Sequence, residues 1–102
     1  MASGSTQPFR PAGTVGVAAS TSAANAALVG GGQAVLVYNA SSAVAFFRLG
    51  GASALSAGVS DTPVPPGGRM LVDAGPFVTN AAVLLSTGTG MVYFTRGDGD
   101  NY

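Results

Sequence analysis

The chain has 102 residues, 47% of them hydrophobic and 8% charged, with a formal net charge of zero. That length predicts one domain, and a charged fraction far below the ordinary value of about 25% predicts association rather than free monomeric life. The absence of cysteine and histidine excludes disulfides, thiolate nucleophiles, Cys- or His-based metal sites and any Ser-His-Asp or Cys-His arrangement.

No membrane, nucleic-acid or small-molecule partner is expected, and no cofactor. No apolar run approaches the ~20 residues of a membrane helix. The first residues, MASGSTQPFRPAG, lack the basic start and apolar centre of a leader peptide. The positive charge is four scattered arginines, Arg10, Arg48, Arg69 and Arg96, balanced by Asp61, Asp73, Asp98 and Asp100, which is no footprint for a polyanion.

In chain order, residues 1–13 are small, polar and broken by Pro8 and Pro11, which predicts an extended arm. Phe9 and Arg10 lie between those prolines. Such a pair either anchors the arm on a neighbouring surface or belongs to a frayed terminus. Residues 14–20 alternate as a first strand. Residues 25–29 read as a second strand, with a short helix as the fallback because of the alanines. Gly30-Gly31-Gly32 is a loop without the Lys-Ser/Thr pair of a phosphate cradle.

Residues 33–49, QAVLVYNASSAVAFFRL, read as a β-hairpin turned at residues 40–42. Both faces of both strands are apolar, whereas a strand with one wet face alternates. One face is expected to fill the core and the other to meet another subunit. A weak edge strand is expected within residues 52–59. Residues 61–68 carry three prolines and cannot form a central strand, so a stiff surface loop is expected there. Residues 69–73 and 77–86 are strands. Residues 87–90 are expected to close a glycine-rich hairpin into a last strand at residues 91–96. Residues 97–102 form a polar tail.

Seven or eight short antiparallel strands at regular spacing, with no long amphipathic helix, predict an all-β sandwich resembling a jelly roll. The domain is expected at residues 14–96, between the arm and the tail. Arg96-Gly97-Asp98 matches an adhesion triplet, and Asp98-Gly99-Asp100-Asn101 offers oxygen ligands without the later Glu of a calcium loop. For both, solvated tail residues are the preferred reading. The four aspartates are dispersed, so no acid–base pair is expected and no enzyme. Arg48 and Arg69 lie amid apolar residues and need partners. One account pairs Arg69 with Asp73 or Asp61. The other, preferred for Arg48, is an acid on a neighbouring subunit.

The PFRPAGT arm at 8–14, VLVYNASSAVAFFRLG at 35–50, DTPVPPGGRML at 61–71 and the closing VYFTRGDGD at 92–100 together resemble the small virion proteins of tailed phages, in particular head decoration or cement proteins. The resemblance implies a non-enzymatic β-sandwich that forms dimers or trimers on the capsid exterior and braces the major capsid protein. Such a protein is made in the cytoplasm of the bacterial host. The expected interface residues are Pro8, Phe9, Arg10, Pro11, Phe46, Arg48 and Arg69. A tail-fibre module that binds a receptor saccharide is the alternative, with Tyr38, Tyr93 and Tyr102 as stacking platforms.

Overall fold

A computed structural model describes residues 9–51, 56–59, 61–75 and 78–99. Eight strands form two four-stranded sheets in which every pairing is antiparallel. They are β1 (Arg10–Ala19), β2 (Ala24–Ala27), β3 (Ala34–Asn39), β4 (Ala45–Gly50), β5 (Thr62–Val64), β6 (Arg69–Asp73), β7 (Asn80–Leu85) and β8 (Gly90–Asp98). The first sheet has the order β1-β8-β3-β6 and the second β2-β7-β4-β5.

The expected sandwich is therefore present, but its connections differ from the local reading. β3 and β4 are not a hairpin. β3 pairs with β8 and β6, whereas β4 pairs with β7 and β5. Residues 40–44 carry the chain from one sheet to the other. The same holds at residues 86–89, because β7 and β8 lie in different sheets. Among the described strands, only β4 and β5 follow one another in sequence and also pair. The two crossovers run side by side. Ala40 N donates to Met91 O at 3.0 Å, and Ser86 N donates to Val44 O at 2.9 Å.

The crossover at 40–44 is held by Asn39, whose side chain is fully buried. Its Nδ2 faces the carbonyls of Ala43, Val64 and Pro65 at 2.7, 3.0 and 3.2 Å. Its Oδ1 accepts from Ser41 N at 3.0 Å and from Ser41 Oγ at 2.6 Å. The amide thus replaces, with one side chain, the hydrogen bonds a two-strand turn would have supplied. Beside it the Pro65-Pro66-Gly67-Gly68 turn closes with Gly68 N donating to Pro65 O at 2.9 Å. Gly67 has φ +71°, the left-handed position that a type II turn with proline before it requires.

The core lies between the sheets. It is built on alternating positions: Val17 and Ala19 of β1, Val35 and Val37 of β3, Ala45 and Phe47 of β4, Ala81, Val83 and Leu85 of β7, and Val92 and Phe94 of β8. Phe47 and Phe94 meet edge to face across it, ring centres 6.4 Å apart, the geometry that aligns ring edge with ring face.

The boundaries move in four places. β1 begins at Arg10, so residues 10–13 belong to the sheet and not to an arm; Arg10 and Pro11 register with Asp98 and Gly97 of β8. β1 is an edge strand and shifts register between Pro11 and Gly13, the setting in which a sheet tolerates proline. Gly97 and Asp98 of the expected tail are in β8. The second strand, expected at 25–29, spans Ala24–Ala27, where pairing with β7 overrides the weak helix preference of alanine. Within the expected proline loop, Thr62–Val64 is a three-residue strand at the edge of the second sheet. Residues 1–8, 52–55, 60, 76–77 and 100–102, with Pro8, Tyr102 and half of the 98–101 oxygen cluster, lie outside the described residues, and residues 56–59 are not strand.

Candidate functional site

The sequence-predicted interface residues fall in three places. Phe9, Arg10 and Pro11 sit where β1 meets the end of β8. Phe46 and Arg48 project from the outer face of the second sheet, alternating with the buried Ala45 and Phe47. Arg69 lies on the outer face of the first sheet, beside Tyr38 in register. The two outer faces point in opposite directions, so Arg69 does not join Phe46 and Arg48 in one patch.

On the second sheet, Leu84, Phe46 and Pro63 form one cross-strand row over β7, β4 and β5. Phe46 and Leu84 are half-buried and Pro63 is exposed. Next to this row Arg48 takes an acid of its own chain, not of a neighbour: Nε donates to Asp61 Oδ1 at 3.0 Å and Nη2 lies 2.9 Å from the same oxygen. This corrects both the assignment of Arg48 to an intersubunit pair and the use of Asp61 by Arg69. The reason lies in the short β5, which leaves Asp61 level with Arg48 at the end of the β4–β5 ladder. The second oxygen of Asp61 accepts from Gly58 N at 2.7 Å. That backbone bond, and then the Arg48 hydrogen bond and charge, hold the Asp61 carboxyl below its ordinary pKa of 3.8, with burial opposing them.

Because the carboxyl is easier to ionise folded than unfolded, its contribution to stability is complete above pH ~4 and is lost as the pH falls through its lower folded value. Acid titration of thermal stability is expected to show this loss in the wild type. Asp61→Asn is expected to flatten that part of the profile, and an unchanged profile would remove Asp61 from the account.

The first sheet presents a different surface. Tyr93 of β8 and Tyr38 of β3 are register partners with stacked rings, 6.3 Å between centres and 18° between planes. Tyr38 is 41% exposed. Gly16 of β1 is the next partner across. A Cβ there would stand 3.0 Å from Cε1 of Tyr93, so glycine at this position leaves the Tyr93 ring room to lie against β1. One rung along, Leu36 is 8% exposed between Thr95 and Leu71, and Thr95 Oγ1 lies 2.8 Å from Thr14 Oγ1. Leu36, Tyr38, Arg69, Tyr93 and Thr95 line a groove of about 350 Å³. The second apolar face of β3 is therefore covered in large part by side chains of its own sheet. Sequence reading named Tyr38, Tyr93 and Tyr102 together as stacking platforms, but no spacing rule could bring Arg69 beside Tyr38 and Tyr93.

Arg96 is only 7% exposed. Its Nε donates to Gly32 O at 3.0 Å and its Nη1 donates to Val78 O. The Arg96-Gly97-Asp98 triplet is thus built into a strand paired on both sides, with Asp98 Oδ1 accepting from Gln33 N at 3.2 Å. It is not displayed on a loop. Gly32, with φ +123°, packs so closely that a Cβ would stand 2.2 Å from Gly97 O.

Among the described residues no three acidic side chains gather in a way that would hold a metal ion, and no helix is long and apolar enough to cross a membrane. What the surface offers is an apolar row on the second sheet and stacked phenol rings on the first. No protein-family model, curated protein or solved structure matches the chain.

Proposed function

We propose that the chain is a non-enzymatic structural protein of a phage particle, a head decoration protein that docks on the outer capsid and bridges neighbouring major capsid subunits. The observation that carries this reading is the apolar row Leu84–Phe46–Pro63 on the outer face of the second sheet, in a chain of low charge density and zero net charge. A flat apolar row rimmed by an arginine is the composition of an interface centre. The strand orders β1-β8-β3-β6 and β2-β7-β4-β5 support the jelly-roll reading, in which strands of two Greek keys alternate between sheets. Residues 1–8, outside the described residues, are proposed as an arm that reaches an adjacent copy. Repetition around a symmetric shell lets weak contacts hold, because each neighbour raises the effective concentration of the next.

The test is co-sedimentation with shells of the particle's major capsid protein. The wild-type chain is expected to co-sediment as a dimer or trimer. Phe46→Asp, a half-buried position on the outer face, is expected to stay folded and to bind about tenfold more weakly or worse. A wild-type chain that stays monomeric by light scattering and ignores the shells overturns the reading.

A second reading, a tail-fibre module that binds a receptor saccharide, is favoured by the Tyr38–Tyr93 stack on the opposite sheet.

A further inference from the structure

We infer that the outer edge of β6 pairs with β6 of a second copy, antiparallel about a two-fold axis at Leu71, so that the four-stranded first sheet continues through a dimer. The inference goes beyond capsid docking and does not depend on it, because it uses the edge of the first sheet and leaves the outer face of the second open.

Of the edge strands β1, β2, β5 and β6, the first three carry devices that discourage further pairing. β1 has Pro11 and a register shift beside it, β5 is three residues long with Pro63 in its middle, and β2 has only four residues. β6 runs five residues, Arg69–Asp73, without proline, glycine or register shift, and β3 is its one strand neighbour among the described residues. The ladder fixes which way its backbone groups point. Asn39 N donates to Gly68 O and Ala74 N donates to Gln33 O, so the hydrogen-bonded rungs with β3 fall on Gly68, Met70, Val72 and Ala74. The main-chain N–H and C=O groups of Arg69, Leu71 and Asp73 therefore point away from β3.

Self-pairing centred on Leu71 matches these groups to one another. Leu71 exchanges its hydrogen bonds with Leu71 of the second copy, and Arg69 exchanges its own with Asp73 of that copy. The same register sets charge against opposite charge at both ends, whereas a parallel pairing would set like charges together. Both side chains are exposed and stand roughly 13 Å apart along their own strand. The guanidinium need not be unengaged for this, since Arg69 has an interaction in its own chain and a guanidinium carries five donors. The inner face of β6 supplies a second, independent observation. Met70 and Val72 are half-buried against the core and, with Phe47 and Leu49, line a cavity of about 380 Å³ between β6 and the β4–β5 edge. The pairing sets Met70 beside Val72 of the second copy and Val72 beside its Met70, so apolar side chains of both copies cover the mouth of that cavity.

The experiment measures the mass of the full chain by analytical ultracentrifugation across concentration. A dimer with a dissociation constant below roughly 1 mM is expected. Leu71→Pro removes a donor that points away from β3, a change an edge strand tolerates, and is expected to leave a folded monomer. Arg69→Asp and Asp73→Arg each set like charges together and are each expected to weaken the dimer about tenfold. An equimolar mixture of these two variants is expected to restore wild-type affinity, which no effect on the monomer alone would do. The chain has no cysteine, so Leu71→Cys adds a single thiol. Mild oxidation is expected to link two copies through it, because paired Cα atoms there stand ~5.5 Å apart. A wild-type chain that is monomeric at about 1 mM overturns the inference. So does a trimer, a dimer that survives Leu71→Pro, or a dimer lost on removal of residues 1–8. If Leu71→Pro fails to fold, the mixture decides: charge variants that associate no better together than apart overturn the inference.

Discussion

Replacing Asn39 with alanine is expected to cost about 3 kcal/mol of stability, a large share of the roughly 5–15 kcal/mol of an ordinary domain. Asn39 is fully buried at the end of β3. Its amide faces the carbonyls of Ala43, Val64 and Pro65, and its oxygen receives the backbone N–H and hydroxyl of Ser41. Truncation removes one side chain but leaves several backbone groups with fewer partners in a place water does not reach. Each such group costs on the order of 1–3 kcal/mol when it loses its only partner. Here the Pro65 carbonyl keeps Gly68 N, and the Ala43 carbonyl keeps Ser41 Oγ, so the total stays well below the sum. Asn39→Asp retains the shape and replaces the donor nitrogen with an oxygen that meets three carbonyl oxygens, so it is expected to be at least as damaging. Urea denaturation checks both. The midpoint is expected to fall with the slope unchanged, and a wild-type midpoint for Asn39→Ala would remove the residue as the anchor of the crossover.

Phe94→Ala is expected to cost about 3–5 kcal/mol. Phe94 is fully buried in the central strand β8 and packs edge to face on Phe47 of the other sheet. Its loss removes apolar area and leaves a cavity lined by rigid β-branched residues, among them Val37 and Val15, its register partners. Strands bonded on both sides cannot close in to fill that space, so the cost falls in the upper part of the usual range. Phe94→Leu keeps most of the volume and is expected to lose less than half as much. Calorimetry of the pair gives the check: equal losses for Leu and Ala would mean that volume is not what Phe94 contributes.

These two positions also mark the limit of local reading. Phe94 lies in a strand visible from its own alternation, as do Val35, Val37 and Phe47. Asn39 reads as the last residue of a hairpin strand before a turn at Ala40-Ser41-Ser42, which is what a short polar stretch between two apolar runs says in a short window. In the fold it supports a crossover. No window of that length can tell the two apart, because hairpin and crossover use the same polar residues and differ only in where the following strand finds its partner. Among the described strands, β4 and β5 are the only sequence neighbours that pair, with residues 51–61 between them, and β5 lies in the proline-bearing segment that predicted a loop.

The arginines carry the same lesson. That Arg48 and Arg69 would need partners followed from their apolar surroundings, and Asp61 was among the acids available. Which arginine took it depended on the β4–β5 register, which sets Phe47 opposite Thr62 and so brings Asp61 level with Arg48. For Arg96, the sequence offered an adhesion-like triplet, whereas pairing with β1 and β3 buried it.

Local sequence determined the class of this protein: short alternating segments of β-branched and aromatic residues, cut by glycine and proline, leave room only for stacked antiparallel sheets. It also determined the chemistry that is missing, since a chain without histidine or cysteine has none of those groups to place. The tertiary structure decided which strands pair, which of the two apolar faces of each strand is core, and that Tyr38, Tyr93 and Arg69 share one groove. The physical reason is range. Alternation and turn chemistry act within a few residues, whereas register between β3, β8 and β6 joins positions up to 63 apart, Ala34 with Gly97 among them, and is set by the packing of the whole core at once.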